Sequence, residues 1–204
     1  MKSIRITSLL AACSIFMLAA PAANAESIAF VTTGTFSISG SSQILTGAGL
    51  DITFDSGTGL IDLNDGEFSN VSFGQFNTSN TSALTDQPVV TDFTLDIGQF
   101  LPNPDSYSFL GAITGTLSIF KSTMVIQLSG PLSFTTMDGR VKYEILNADG
   151  GTPGRIFIGS PQTNNGLTSI NGRITLIPEP SAFALLGLGV PAVLLLHRRR
   201  RAAA

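Results

Sequence analysis

The chemistry open to this chain is bounded first by its histidine and cysteine, each of which occurs once: His197 lies beside the carboxyl-terminal arginines and Cys13 in an apolar amino-terminal stretch. A segment that lacks both has no Ser-His-Asp triad, no imidazole general base, no thiolate nucleophile and no Cys/His zinc site. What remains between residues 26 and 177 is oxygen chemistry, with thirteen Asp and Glu against five Lys and Arg, a formal charge of −8. Two carboxylates about 5 to 10 Å apart would suffice for glycoside hydrolysis. Acidic loops could also gather a divalent cation such as calcium, while the same excess of negative charge argues against a nucleic-acid partner.

Four local patterns carry candidate chemistry. Phe54-Asp55-Ser56-Gly57-Thr58 has the hydrophobic-Asp-Ser-Gly-Thr form of an aspartic-protease loop, whose carboxylate must pair with a second one. The sequence holds no second Asp-Ser/Thr-Gly, so that chemistry would require a dimer, and the residues read better as a turn after a strand ending at Phe54. Asp62-Leu63-Asn64-Asp65-Gly66-Glu67 suggests a calcium loop, but glycine stands at its fifth position instead of the sixth and no glutamate follows at the bidentate position. A hairpin turn at Asp65-Gly66 is expected instead. Asn70-Val71-Ser72, Asn77-Thr78-Ser79 and Asn80-Thr81-Ser82 match the N-glycosylation acceptor pattern, which arises readily in Asn-, Ser- and Thr-rich stretches. Residues 77–83 are predicted to form an exposed loop. Thr33-Gly34-Thr35 and Thr114-Gly115-Thr116 are similar to the paired threonines of ice-binding faces, but without regular repetition strand propensity accounts for them.

The elements that must position these residues are strands. Segments 28–38, 44–54, 68–76, 93–97, 107–120, 124–128, 132–136, 141–146, 155–158 and 167–177 are rich in Phe, Ile, Val and Thr with frequent apolar–polar alternation, and helical spacing is nowhere sustained. Turn chemistry separates them at Asp65-Gly66, Leu101-Pro102-Asn103-Pro104, Asp138-Gly139, Asp149-Gly150-Gly151 and Asn165-Gly166. One hairpin is specified closely: Leu132 and Phe134 precede Asp138-Gly139, and Val141, Tyr143 and Ile145 follow with Lys142 and Glu144 between them. About ten short strands predict an all-β body, an antiparallel β-sandwich or jelly roll. Twelve of the fourteen phenylalanines lie in it, enough to fill the space between two sheets without disulfide, metal or cofactor.

The two ends are of another kind. Residues 1–25 begin with Lys2 and Arg5, continue through an apolar stretch and finish at Ala23-Asn24-Ala25. These are the three parts of a secretory signal peptide, with cleavage after Ala25. Leu10-Ala11-Ala12-Cys13 resembles a lipoprotein box, but the apolar run continues past it through Ile15, Phe16, Met17 and Leu18. Cleavage after Ala25 removes the only cysteine. At the far end Pro178-Glu179-Pro180 precedes a 16-residue apolar run over residues 181–196, then His197 and Arg198, Arg199, Arg200 and Arg201. As a helix that run would reach about 24 Å, short of a hydrocarbon core of about 30 Å but able to span it with local thinning or snorkelling arginines. The arginines favour the cytoplasmic side, leaving everything before them outside.

Taken together, Pro178-Glu179-Pro180, the short Gly-containing apolar run and the terminal arginine cluster resemble the PEP-CTERM sorting signal of exosortase-dependent Gram-negative bacteria, a tail also labelled an ice-binding-protein carboxyl-terminal domain. Pro191 departs from the commonest glycine- and leucine-rich helix of that family. The resemblance covers residues 177–204 and implies that Pro178, Glu179 and Pro180 are the recognition triplet and Arg198 to Arg201 the stop-transfer cluster. It further implies the Sec translocon, signal peptidase and exosortase as partners in export. The expected organisation is a signal peptide (1–25), an extracytoplasmic β-sandwich (26–177) and a sorting signal (178–204) with one transmembrane helix. The expected function is that of a non-enzymatic protein, held briefly in the inner membrane and then released to the cell surface or the extracellular polysaccharide matrix. A carbohydrate- or calcium-binding module and a carboxylate-only enzyme are the alternatives.

Overall fold

Alternation of apolar and polar residues at period two dictates strands with one buried and one solvated face, and the computed structural model, which describes residues 25–178, is built from such strands. In chain order they are β1 (Glu26–Phe36), β2 (Gln43–Leu45), β3 (Asp51–Ser56), β4 (Thr58–Leu63), β5 (Phe68–Asn77), β6 (Gln87–Leu101), β7 (Asp105–Leu117), β8 (Val125–Ser129), β9 (Ser133–Thr135), β10 (Val141–Ile145), β11 (Ala148–Asp149), β12 (Thr152–Pro153), β13 (Arg155–Phe157) and β14 (Leu167–Leu176). They form two curled antiparallel six-stranded sheets: sheet 1 in the order β13-β8-β7-β6-β1-β4 and sheet 2 in the order β2-β3-β5-β14-β10-β9. β11 and β12 make a separate ribbon. The amino-terminal segment and the apolar carboxyl-terminal run lie outside the described residues; among the described residues no helix is long and apolar enough to cross a membrane.

Both sheets contribute to one core. In β6, Val89, Phe93, Leu95 and Ile97 point inward and meet Ile52, Phe54, Phe73, Phe76, Tyr143, Ile174 and Leu176 from sheet 2. Phe36, Phe54, Phe76 and Phe93 form one aromatic cluster, with ring centroids 5.0 to 6.2 Å apart. Phe134 stacks between Tyr107 and Tyr143 in another, at 4.6 and 4.8 Å. Each such pair adds about 0.5–1.5 kcal/mol beyond its buried area.

Glycines opposite the rings make the room. A Cβ at Gly34 would fall 2.3 Å from the Phe54 ring, one at Gly59 2.4 Å from Phe30, and one at Gly172 1.9 Å from Phe73. These three strand glycines are therefore sockets for phenylalanine.

The hairpin around Asp138-Gly139 forms as expected: Phe134 pairs with Tyr143 and Thr135 with Lys142, and Gly139 takes the left-handed conformation at φ 74°. Four expectations are corrected. Segment 44–54 is two strands, β2 and β3, separated by a turn in which the Thr46 N–H binds Leu50 O at 3.0 Å. Asp55-Ser56-Gly57-Thr58 is no turn but a corner at which the chain passes from β3 in sheet 2 to β4 in sheet 1, a strand the hydropathy pattern misses. Asp65-Gly66 closes no hairpin, because β4 and β5 belong to different sheets; it carries the chain back across. The segment 77–83 is not simply exposed, since Thr78, Thr81 and Ala83 are buried. The Thr78 hydroxyl donates to Gly159 O at 2.8 Å and that of Thr81 to Asp51 O at 2.6 Å.

Gly172→Ala is expected to destabilise the domain by about 1–3 kcal/mol through overpacking against Phe73. Gly47→Ala, where a Cβ meets nothing within 4 Å, should change stability by less than about 1 kcal/mol. Urea unfolding of the two variants measures the difference.

Candidate functional site

The residues with predicted roles in processing flank the folded body, so the structure bears on them at the two junctions. Ala23, Glu179, Pro180 and Arg198 to Arg201 lie outside the described residues. Ala25 and Pro178 lie inside them and both are exposed. Each is one or two residues from a strand that is internal to its sheet: β1 runs between β6 and β4, and β14 between β5 and β10.

Arg140 brings these junctions together. It follows the Asp138-Gly139 turn, and its guanidinium lies 2.5 Å from the Glu26 carboxylate at the start of β1 and 3.5 Å from that of Asp65 in the β4–β5 turn. Its backbone carbonyl accepts the Ile177 N–H at 2.7 Å, just beyond β14. The ladder is tightened from the other side as well: Gly66 N–H donates to Leu176 O at 2.9 Å, and Leu176 N–H donates to Glu67 O at 3.0 Å. The arginine side chain is only 19% exposed and the glutamate 25%, which puts this pair between a solvated ion pair and a buried one. Glu26 at the start of the body and Ile177 at its end thus lie at the same pole.

A polar chain runs from this pole into the core. The Tyr143 hydroxyl donates to Gln99 Oε1 at 2.7 Å, Gln99 Nε2 to Asn103 O at 2.8 Å, and Asn103 Nδ2 to Asp138 Oδ2 at 2.8 Å. Burial opposes ionisation of Asp138, but hydrogen bonds from Thr136, Asn103 and the Arg140 N–H, with the arginine charge, outweigh it and hold the carboxyl below the usual carboxylate range. Burial, with the nearby Asp105 charge, pushes the Tyr143 phenol above its ordinary value.

The other sequence candidates are dispersed. Asp55 stands exposed on the outer face of sheet 2, within 3.4 Å of Gln75 Nε2 and 3.5 Å of Asn77 Nδ2. The acids of the 62–67 segment have separate partners: Asp62 accepts from the Ser27 hydroxyl, Asp65 faces Arg140, and Glu67 accepts from the Asn64 N–H and amide. Among the described residues no group of three or more His, Cys, Asp or Glu could hold a metal ion. Thr33 lies opposite Asp96 and Thr35 opposite Thr94, whereas Thr114 lies opposite Val90, so the threonine pairs do not align into ranks. Asn70 and Asn80 are exposed, and Asn77 is partly buried with its Oδ1 accepting the Ser79 N–H. A shallow depression of about 380 Å³ on sheet 1, lined by Ser37, Val90, Asp92 and Thr114 among others, has its Ser37 and Thr91 hydroxyls bonded to each other at 3.1 Å.

No family model, no curated protein and no solved structure matches this chain. Sequence reading did not anticipate that Arg140 meets Glu26 and Asp65. The available signal was that Arg140 is one of only five cations between residues 26 and 177 and immediately follows an Asp-Gly turn.

Arg140→Gln is expected to lower stability by about 1–2 kcal/mol and to raise amide exchange at both Ser27–Ala29 and Ile177, measured by hydrogen exchange with mass spectrometry. Tyr143→Phe leaves Gln99 Oε1 without its donor and should cost about 1–2 kcal/mol at pH 7. Because the folded phenol titrates above its unfolded value near 10, the native state loses stability as pH rises beyond that value. The gap between wild type and Tyr143→Phe should therefore narrow between pH 10 and 11 in urea titrations.

Proposed function

We propose that this is a non-enzymatic exported protein whose β-sandwich body is carried across the inner membrane, held there by residues 181–196, and released by an exosortase to the cell surface or extracellular matrix. The observation that carries the reading is the carboxyl-terminal order of Pro178-Glu179-Pro180, a 16-residue apolar run and four arginines. Two prolines keep the backbone at the membrane–water boundary extended and outside any ladder, a form that a membrane-embedded protease can reach.

The body is consistent with a passenger of this kind. Its packed core draws on both sheets, its candidate acids serve separate local contacts, and the exposed Phe68 has one ring face capped by the Arg173 guanidinium at 4.5 Å. Asp55 then has a surface role, and Asp55→Asn should be sorted like wild type.

Mature protein from the native host should begin at Glu26, end near Pro178 and be recovered outside the inner membrane; fractionation with intact-mass analysis measures all three. Replacing Pro178, Glu179 and Pro180 together with alanine should leave the full-length form in the inner membrane. Release of the alanine variant at the wild-type rate, or retention of Arg198 to Arg201 in mature wild type, would make a plain membrane anchor the better description.

A further inference from the structure

We propose that β4 is a pairing edge through which two copies of this chain join sheet 1 to sheet 1, antiparallel, with Leu60 of one copy opposite Leu60 of the other. The proposal goes beyond the sorting reading and does not depend on it. Four strands end the two sheets: β2, β9 and β13 are three residues long, too short to template another chain, whereas β4 has six. β4 also lacks the usual protections of an exposed edge. It holds no proline, lysine or arginine, its register with β1 is unbroken from Thr58 to Leu63, and the side chains it turns inward, Ile61 and Leu63, are apolar. Its one charge, Asp62, is drawn back toward β1 by the Ser27 hydroxyl at 2.5 Å.

The ladder fixes which groups face outward. Bonded and non-bonded pairs alternate between antiparallel strands, and the Thr32 N–H binds Gly57 O at 2.8 Å. Gly59, Ile61 and Leu63 therefore direct their backbone groups to β1, and those of Thr58, Leu60 and Asp62 point away from it. Among the described residues β4 pairs with no other strand. All three outward residues are exposed, Leu60 by 69%.

These three residues are self-complementary. With Leu60 opposite Leu60, Thr58 of each copy lies opposite Asp62 of the other, so every outward donor and acceptor finds a partner, a threonine hydroxyl meets each carboxylate and no like charges face each other. The next register sets Leu60 against Asp62, and the one beyond brings two Asp62 carboxylates together. Apolar contact continues on the same face. Ala29 of β1 lies opposite both Leu60 and Leu101 of β6, and Leu101 is exposed, so pairing joins two such rows end to end through Leu60.

Disulfide mapping of the full-length chain, purified in mild nonionic detergent on a Cys13→Ser background, tests the pairing. Opposed residues on adjacent strands lie about 5.5 Å apart at Cα, within disulfide reach. On mild oxidation Leu60→Cys should give covalent dimers at least ten-fold above Met137→Cys, a position that is 96% exposed on the β9–β10 turn. Thr58→Cys should crosslink to Asp62→Cys when the two chains are mixed, and not to itself. Leu60→Pro removes only an outward N–H and leaves the β1 ladder its bonds, so in the mixed pair it should cut that crosslink ten-fold or more while the thermal midpoint is kept; Leu60→Lys, which demands nothing of the backbone, should do the same. A Leu60→Cys chain that crosslinks no better than Met137→Cys overturns the proposal and leaves the edge to an extended segment of another protein. It is equally overturned if Thr58→Cys prefers itself to Asp62→Cys, or if the mixed crosslink is undiminished in folded Leu60→Pro or Leu60→Lys chains.

Discussion

The hydroxyl of Thr32 ties the two sheets together at the corner where the chain passes from β3 to β4 through the single residue Gly57. It donates to Phe73 O in β5 at 2.7 Å and accepts the Gly57 N–H at 2.8 Å, while the Thr32 N–H donates to Gly57 O at 2.8 Å. β1 thus grips the β3–β4 corner and sheet 2 through one fully buried side chain. A corner of this kind breaks the regular ladder on both sides, and unpaired backbone groups in a core would each cost about 1–3 kcal/mol. Threonine solves the problem locally, and the solution recurs: Thr78, Thr81 and Thr136 are also buried with hydroxyls on backbone partners. Among the described residues no buried side-chain nitrogen or oxygen lacks a hydrogen bond.

These joints explain which parts of the fold were legible in the sequence. The hairpin at Asp138-Gly139 could be read because turn residues and alternation agree, and the long strands β1, β6, β7 and β14 because their apolar faces repeat at period two. The Asp55-Ser56-Gly57-Thr58 corner could not, since its residues are those of a turn and the corner is held by a partner 25 positions away, Thr32. Asn77 to Ala83 looked solvated because threonine is polar by composition, whereas the hydroxyls of Thr78 and Thr81 are met by the distant carbonyls of Gly159 and Asp51.

The same limit applies to the pole where the body begins and ends. Motif order at the carboxyl terminus was visible as a contiguous pattern, which is why the sorting reading comes from sequence. The clamp formed by Arg140, Glu26 and Asp65 joins residues up to 114 positions apart, and no local pattern announces such a meeting. Its components are commonplace, one arginine after an Asp-Gly turn and two acids, and their significance lies in having been brought to both ends of the body at once.

The placement of β14 also sets a clock on folding. Sheet 2 consists of β2-β3-β5 on one side and β10-β9 on the other, with only β14 between them. Until the ten residues of β14 arrive, these halves share no ladder. Sheet 2 therefore closes late, through contacts far apart in sequence, which is the slow and aggregation-exposed mode of β folding. Sheet 2 is thus completed only by the last strand of the body, after every strand of sheet 1 has already been made.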